Sequence, residues 1–474
     1  MRAGGFGELA RRALDGVRLG VDHRKRLRNV GHLLTGNAAS AVLGLASYAL
    51  TARALGVADF GQLAMILAFV RTIERLVSFQ SWQPIIKYGA PLWGVKDSDD
   101  LRSLLKFGLL LDISAAVVAW GVAIVVACGG AYLLGWSGHQ RELLLLYSCV
   151  LLFGISGTPT AVQRLSGNFH LLAYGQLINL VFRVGLCAVA AWYAADLRTF
   201  VLVWAGTQIF GALVLFALAM RTLRHEGIHG VFRASLKDIG SRFPSIWNFT
   251  WFANLSLTLR SSTNELDTLL VGALADPRSA GLYHIAKQLG RAGQQMGAQV
   301  QNVIYPDVAR LWAKGRIAEF RRLVLQVEAS LLALGVLGVL IAYATVDPLL
   351  RWTAGPAFLG AANLVVVQMV AVALVLSGTA ARSALLAMGR QREVLIVVVT
   401  ATLAFHLTAF LVIPKIGAMG GNIAHVVLGV IWLTGLSICL MRALRKAQAT
   451  SGSSALDDGT AAFTKAALPD LKGA

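Results

Sequence analysis

Long apolar segments separated by short polar stretches fill most of the sequence and predict an all-α integral membrane protein. An apolar helix of about 20 residues is long enough to cross the roughly 30 Å hydrocarbon core of a bilayer. Twelve segments qualify, and the third and seventh are long enough that we expect them to tilt or to continue into the cytoplasm. The predicted spans cover about residues 30–52, 62–82, 104–134, 143–163, 170–194, 200–220, 243–272, 281–305, 323–346, 357–381, 393–413 and 417–441.

The overall composition also indicates a membrane protein. Of 474 residues, 56% are hydrophobic and 14% are charged, and the mean hydropathy is +0.65, whereas a soluble domain carries about 25% charged residues. The net charge of +19 would suggest a nucleic-acid partner in a soluble protein. Here 31 of the 43 Lys and Arg residues fall in predicted cytoplasmic segments, six in outer loops and six within spans. By the positive-inside rule, both termini are expected in the cytoplasm, and no nucleic-acid partner is needed.

The two ends of the chain are predicted to lie outside the bilayer. Residues 1–28 hold eight Lys and Arg residues opposite an apolar helical face, which predicts a basic amphipathic helix on the anionic cytoplasmic leaflet. A disordered basic arm that only sets the topology is the alternative. Residues 447–474 are polar and contain S-G-S-S, so we expect a disordered cytoplasmic tail.

An internal repeat of about 220 residues divides the spans into two sets of six. It predicts an N-terminal lobe at 29–222 and a C-terminal lobe at 223–446. Because six is even, both lobes have the same orientation, and we expect a central cavity between them that opens by alternating access. A chance coincidence of turn residues is the alternative. The matching landmarks are Gly61 with Gly281, Pro84 with Pro306, Gly167 with Gly389, and Arg71 with Arg291.

Charged side chains recur at helical spacing inside the spans, although a charge at the centre of a membrane helix costs at least roughly 2.5–3.5 kcal/mol. Arg71, Glu74 and Arg75 share one face of the second span, and Lys287 and Arg291 share one face of the eighth. Arg71 and Arg291 each lie ten residues from their predicted outer turn, about 15 Å along a helix and near the bilayer midplane. The six basic residues within spans are Arg71, Arg75, Arg183, Arg260, Lys287 and Arg291.

We expect these basic side chains to line a cavity that binds a diphosphate group. Arginine suits phosphate because its planar guanidinium donates two parallel hydrogen bonds and keeps its charge. Structural ion pairs are the alternative, between Glu74 and Arg71 or Arg75, and between Asp267 and Arg260. Acidic residues within the spans are candidates for proton or sodium coupling, with ion pairing or helix capping as the alternatives. They are Glu74, Asp112, Glu265 and Asp267.

Seven short motifs follow one another from the first span to the last. They are A-R-A-L-G-V-A-D-F-G-Q-L-A (52–64), G-N-F-H-L-L-A (167–173), N-E-L-D-T-L-L-V-G (264–272), A-G-L-Y-H-I-A-K-Q-L (280–289), Y-P-D-V-A-R-L (305–311), A-M-G-R-Q-R (387–392) and I-P-K-I-G-A-M-G-G-N-I-A (413–424). In this order and spacing they make the chain resemble the Wzx-type flippases. That family carries O-antigen and exopolysaccharide lipids and belongs to the multidrug/oligosaccharidyl-lipid/polysaccharide exporter (MOP) superfamily.

The resemblance implies a V-shaped, two-lobed helical bundle in the bacterial inner membrane. It further implies transport of an undecaprenyl-diphosphate-linked oligosaccharide to the periplasmic leaflet, for lipopolysaccharide or exopolysaccharide synthesis. The implied partners are this lipid-linked substrate, membrane lipids, and a polysaccharide polymerase with its chain-length regulator.

Other functions fit the residues less well. A cation-coupled drug antiporter on the same scaffold would favour an acid-rich, aromatic pocket, whereas these spans carry more base than acid. A membrane polymerase or ligase would need a sizeable outer loop, and the predicted outer loops are short. The sequence contains no Walker motif, and its four Cys residues lie in apolar segments without a CxxC pair. We therefore expect no enzyme, no cofactor and no metal site.

Overall fold

Helices make up all the regular structure of the described residues in the computed structural model. It describes the backbone of residues 5–79, 81–95, 98–133 and 137–466, and the side chains of these except 5–38, 130–133, 252–262, 264, 296–306 and 447–466. The expected N-terminal amphipathic helix (1–28) and disordered tail (447–474) therefore lie outside the described side chains.

The helices are α1 (Gly5–Val77), α2 (Trp82–Gly89), α3 (Asp99–Leu133), α4 (Gly138–Ser148), α5 (Gly157–Leu165), α6 (Phe169–Trp192), α7 (Leu197–His225), α8 (Ile239–Arg242), α9 (Ile246–Leu274), α10 (Pro277–Ala313), α11 (Ile317–Thr353), α12 (Ala362–Ala387), α13 (Gln391–Ile416) and α14 (Ala418–Ala466).

Nine helical stretches of the described chain are long and apolar enough to cross a membrane. The first, Ala39–Leu92, has 54 residues and would extend about 80 Å if straight, more than twice the hydrocarbon thickness. It is broken at Gly56, so it can supply two crossings. The helices α9 and α10, which match predicted spans seven and eight, are not among the nine. The multi-pass helical class is therefore confirmed, and the count of twelve stays a prediction.

The break between the first two spans falls within the predicted turn, residues 53–61, but closer to its start than to its end. Gly56 has φ 73° and ψ 179°, a conformation that glycine adopts without the cost of a Cβ clash. The prediction had placed the end of this turn near Gly61. Arg71 is the fifteenth residue after the break and Arg291 is the fifteenth residue of α10. The predicted ten-residue spacing is thus wrong, but the two arginines keep the same register in the two repeats.

The helix starts reproduce the internal repeat. Three pairs of helices begin 220, 222 and 221 residues apart. Gly167 (φ 73°) and Gly389 (φ 75°) each lie two residues before the second pair and both adopt the left-handed conformation that favours glycine. The paired starts are Val57 with Pro277, Phe169 with Gln391, and Leu197 with Ala418.

The fourth predicted span, 143–163, is interrupted rather than continuous. A 3₁₀ turn at Cys149–Phe153 separates α4 from α5. The carboxylate of Asp112 accepts a 2.8 Å hydrogen bond from the backbone N–H of Thr158, which satisfies one of the donors left open at the start of α5. Non-helical backbone at membrane depth is tolerated where it is buried in protein or lines a cavity.

The chain divides into two compact units. The first comprises residues 1–269 with 353–355, and the second comprises the remainder from 270 onward. The first unit extends past the expected limit at 222 because the start of α9 packs on its earlier helices. Trp247, for example, lies 5.0 Å from Phe107 between ring centroids. The limits of the two six-helix lobes stay a prediction.

Large apolar side chains also remain exposed along the outer helices. Val125 on α3, Leu340 on α11 and Leu403 on α13 are each more than half exposed. A water-facing surface would be destabilised by such a series, whereas lipid chains solvate it. Exposure of this kind fits the membrane class predicted from the hydropathy pattern.

Candidate functional site

An aromatic pair stands at the centre of the first unit. Tyr48 on α1 and Trp204 on α7 have ring centroids 4.7 Å apart, with a 40° angle between the ring planes. Trp204 is 1% exposed, and its indole N–H donates a 3.3 Å hydrogen bond to Oγ1 of Thr51. The rings are therefore held in place by both packing and a polar contact.

Two of the predicted basic residues meet on this aromatic pair. Nη2 of Arg71 donates a 3.0 Å hydrogen bond to the hydroxyl of Tyr48. Nε of Arg183 donates a 3.0 Å hydrogen bond to Oγ1 of Thr207, and its guanidinium carbon lies 4.7 Å from the ring centre of Trp204. Such a position over an indole face is a cation–π contact. Two helices that are far apart in sequence thus place guanidinium groups on one aromatic platform.

The charges of these two arginines are not neutralised by close acids. Both side chains are partly buried, and neither forms an ion pair within 4.0 Å among the described residues. The carboxyl groups of Glu74 and Glu265 lie in electrostatic range of Arg71. The alternative of a close ion pair between Arg71 and Glu74 is therefore not what the structure shows.

The other charged residues of the first unit have mixed surroundings. Arg75 is exposed and lines a small cavity of about 60 Å³ together with Glu74 and Asp112. Asp112 is 5% exposed and caps α5, as described above. Asp267 is 1% exposed, and its Oδ1 accepts a 2.6 Å hydrogen bond from the backbone N–H of Thr268. Ion coupling by these acids stays a prediction.

A larger cavity of about 670 Å³ lies within the first unit, between α6, α7 and the interruption of the fourth span. We call it the lobe pocket. Its polar lining consists of three amide side chains, two hydroxyl side chains, one acid and one base. The polar and aromatic lining residues are Glu74, Phe153, Ser156, Thr160, Arg164, Phe169, Gln176, Asn179 and Gln208.

The lobe pocket adjoins the two arginines through a short polar connection. Gln208 follows Thr207, the partner of Arg183, and its Oε1 accepts a 3.1 Å hydrogen bond from the hydroxyl of Tyr147. Tyr147 is 1% exposed and lies in electrostatic range of both Arg71 and Arg183. The two arginines on the aromatic pair, which we call the cationic platform, and the lobe pocket are therefore neighbouring parts of the same unit.

In the second unit, basic residues lie on α10 as the sequence predicted. Lys287 is 4% exposed and Arg291 is partly buried. The residue after Lys287 is Gln288, and its side-chain amide nitrogen lies 2.9 Å from Nε2 of His284, one helical turn earlier. Arg260 lies outside the described side chains. A single cavity formed by basic residues of both repeats stays a prediction.

Comparison with known proteins identifies the family. Residues 26–312 match the family described as "Polysaccharide biosynthesis protein", which is more than half of the chain. The chain belongs to this family. It is also 28% identical to the inner membrane protein YghQ of Escherichia coli (strain K12) over 345 residues, which cover 72% of this chain and 96% of YghQ.

Solved structures confirm the fold predicted for this polysaccharide biosynthesis protein. An inward-facing MATE-family multidrug resistance transporter of the MOP superfamily superimposes with a TM-score of 0.68 at 12% identity, covering 86% of this chain and 96% of that one. The lipid II flippase MurJ, in an inward closed conformation, gives a TM-score of 0.64 at 13% identity, covering 92% and 94%. At these identities the likeness shows the fold alone, so the multi-pass helical transporter fold expected from the sequence is confirmed.

The sequence analysis did not predict the uncharged residues of this site. Tyr48, Tyr147 and Trp204 are aromatic residues inside apolar helices, where packing in the core is the usual role. A signal was present in W-A-G-T-Q (204–208), because adjacent Thr and Gln in the middle of a span are costly unless they bind something.

Proposed function

We propose that this protein is a flippase that moves undecaprenyl-diphosphate-linked oligosaccharide from the cytoplasmic to the periplasmic leaflet by alternating access. The proposal rests chiefly on one observation. Arg71 and Arg183 are both held on the Tyr48–Trp204 pair and have no ion pair within 4.0 Å among the described residues. Membership of a family described as polysaccharide biosynthesis proteins is consistent with transport of such a lipid-linked intermediate.

The arrangement fits a diphosphate because most guanidinium donors stay available. A guanidinium has five N–H groups. Arg71 donates to Tyr48 and Arg183 to Thr207, which leaves the remaining N–H groups for phosphate oxygens. Charge-assisted bonds from arginine to phosphate are about twice as strong as neutral ones. Holding both cations at membrane depth is costly, so their retention favours a role in binding an anion.

The aromatic pair carries two positive charges. Arg71 and Arg183 form no ion pair within 4.0 Å among the described residues, and Glu74 and Glu265 lie within electrostatic range of Arg71. An anionic substrate would offset the charge of the two arginines. Glu74 and Glu265 are candidate proton or sodium sites in the same proposal, because an anion bound at the neighbouring arginines changes the affinity of a nearby carboxyl for a proton or a cation.

The named relative supports a proposal for the cellular setting. YghQ is named an inner membrane protein, and we propose the same membrane for this chain, with both termini in the cytoplasm. The product would then be presented on the periplasmic side to a polysaccharide polymerase and its chain-length regulator. Lipopolysaccharide and exopolysaccharide pathways both use a lipid-linked substrate of this class.

Complementation tests the proposal in a panel of hosts that each lack their own flippase. We expect the wild-type chain to restore surface polysaccharide in at least one host. Arg71→Ala and Arg183→Ala are expected to lower export at least tenfold, since each loses a charged hydrogen-bond donor worth about 1.5–3 kcal/mol. Lysine at either position is expected to restore part of the export, because lysine keeps the positive charge but lacks the planar guanidinium that donates two parallel hydrogen bonds.

Arg392→Ala is the matched control, because Arg392 is an exposed residue at the start of α13. Membrane levels of all variants are compared by immunoblot. Normal export by both alanine variants would show that the arginines are structural. A wild-type chain that restores no glycan but changes drug resistance would favour the alternative, a cation-coupled drug antiporter, since a multidrug resistance transporter shares this fold.

A further inference from the structure

We propose that the lobe pocket is a carbohydrate site, which takes neutral sugar residues of the lipid-linked oligosaccharide while the diphosphate lies on Arg71 and Arg183. This inference rests on the proposed function and names the part of the substrate that a second, separate site recognises. Its observations are a cavity of about 670 Å³, two incompletely bonded amide side chains and a close-approach glycine.

Amide groups in this pocket lack partners among the described residues. Oδ1 of Asn179 is buried and accepts no hydrogen bond. Gln208 uses its Oε1 for the hydroxyl of Tyr147, which leaves its N–H₂ group without a partner in the described part of the chain. A buried acceptor such as Oδ1 of Asn179 is costly unless a ligand or water bonds it, whereas Gln208 is only half-buried. The two amides lie on neighbouring helices α6 and α7, which suits one ligand that contacts both.

The position of Asn179 depends on a glycine opposite it. A Cβ at Gly211 would lie 2.6 Å from Nδ2 of Asn179, closer than any real contact, so any side chain there would displace the amide. Gly175 lines the same pocket, yet a Cβ there would lie 3.5 Å from Cδ1 of Leu218, an ordinary contact. The two glycines therefore form a matched pair, of which only Gly211 makes room for the amide.

The pocket chemistry favours a neutral polyhydroxyl ligand. An amide both donates and accepts hydrogen bonds, as a sugar hydroxyl does, and the lining also offers the aromatic faces of Phe153 and Phe169. Arg164, the one basic lining residue, has its guanidinium 4.3 Å from the ring centre of Trp82. A pocket for a second anion would need more basic lining residues, and a pocket for a drug cation would need more acidic ones.

The backbone around the pocket is consistent with a binding role. Part of its wall is the interruption between α4 and α5, where Gly154 and Ser156 contribute to the lining. Membrane proteins accommodate broken helices where the freed backbone lines a cavity, and discontinuous helices form the substrate sites of several transporters. The pocket also adjoins the cationic platform through Gln208, so one molecule can reach both sites.

Binding to the purified full chain in detergent tests the inference. The two probes are undecaprenyl diphosphate and the lipid-linked repeat unit extracted from the host that the wild-type chain complements. We expect the wild type to bind the repeat unit about tenfold more tightly, the gain that one or two well-made hydrogen bonds give. Asn179→Leu and Gly211→Ala are expected to abolish this preference and to leave the affinity for undecaprenyl diphosphate unchanged. Gly175→Ala is expected to bind both probes as the wild type does.

Three results would overturn the carbohydrate site: no preference in the wild type, a preference kept by both Asn179→Leu and Gly211→Ala, or equal weakening of both probes in these variants. If Gly211→Ala does not fold, Asn179→Leu decides alone, because leucine keeps the approximate shape of asparagine. A wild-type chain that binds neither probe would contradict the proposed function itself.

Discussion

The hydroxyl of Tyr48 accepts a 3.0 Å hydrogen bond from the guanidinium of Arg71 across the break in α1. The two residues lie on opposite sides of Gly56, so this bond joins the first and second helical parts of α1. It also positions one cation of the proposed substrate site. Tyr48 is 8% exposed, and its ring packs on Trp204.

We predict that Tyr48→Phe lowers export without unfolding the protein. Phenylalanine keeps the ring contact with Trp204 and removes only the acceptor for Arg71. Loss of a hydrogen bond to a charged group costs about 1.5–3 kcal/mol, so we expect roughly a tenfold or greater fall in transport of the lipid-linked repeat unit in proteoliposomes. Tyr343→Phe, at an exposed tyrosine of α11, is the control. An unchanged rate in Tyr48→Phe would show that this bond does not position Arg71.

A second prediction concerns the acceptor of Arg183. Thr207 is fully buried, so Thr207→Val preserves shape and removes the hydroxyl that accepts from Nε of Arg183. We expect the apparent KM for the lipid-linked substrate to rise about tenfold, while the maximal rate changes little, because ground-state binding is weakened. Thr207→Ser is expected to restore the wild-type KM. A lowered maximal rate with unchanged KM, or no rescue by serine, would contradict a positioning role.

The helical class and the repeat could be predicted from the sequence because bilayer physics makes them visible. Apolar length sets each span, and a left-handed glycine marks corresponding turns, such as Gly167 and Gly389. The interruption after α4 was missed, although G-I-S-G-T-P (154–159) carries two glycines and a proline, which signal a break in a helix. What allows the break is Asp112, a distant residue that bonds the start of α5.

The site could be predicted only in its charged part. A charge inside a span has a high cost, so Arg71 and Arg183 stood out in the sequence. Their partners Tyr48 and Trp204 carry no such cost and look like packing residues, and the polar pair Thr207 and Gln208 gave only a weaker signal. Which arginines come together depends on how helices α1, α6 and α7 pack, and helical spacing within one span holds no information about that.

A third prediction follows from the start of α7. Asp196 lies just before this span and accepts hydrogen bonds from the backbone N–H (3.0 Å) and Oγ1 (2.7 Å) of Thr199, which hold the pKa of its carboxyl below the ordinary value. A carboxyl with a lowered folded-state pKa stabilises the protein above the ordinary pKa of Asp, and this contribution disappears as the pH falls through the folded-state pKa.

Asp196→Ala is therefore expected to lower stability at pH 7 by about 1 kcal/mol or less, since the carboxyl is solvent-exposed and screened. The difference from the wild type should shrink at pH 3, as measured by thermal unfolding in detergent. Asp196→Asn keeps a good capping residue and should lie close to the wild type at both pH values. A deficit of Asp196→Ala that is the same at pH 7 and pH 3 would contradict an ionised cap.

The last prediction tests how tightly the interruption of the fourth span is packed. A Cβ on Gly157 would lie 2.0 Å from Oγ of Ser81 and 2.8 Å from Oδ1 of Asp112. Ser81 is fully buried and Asp112 is bonded to the first turn of α5, so the surrounding packing must shift to admit a Cβ. Gly157→Ala is expected to destabilise the protein by about 1–3 kcal/mol, the usual cost of overpacking.

Gly121→Ala provides the matched comparison, because a Cβ at this position in α3 meets nothing within 4 Å. Alanine in a helix interior is favoured over glycine by roughly 0.5–1 kcal/mol, so this variant should unfold at the same temperature as the wild type or slightly above it. Gly157→Ala should therefore lower the thermal midpoint, whereas Gly121→Ala should leave it unchanged or raise it slightly. If Gly157→Ala is as stable as Gly121→Ala, the contact between Asp112 and α5 is looser than its 2.8 Å bond indicates, and the break after α4 must be maintained by other residues.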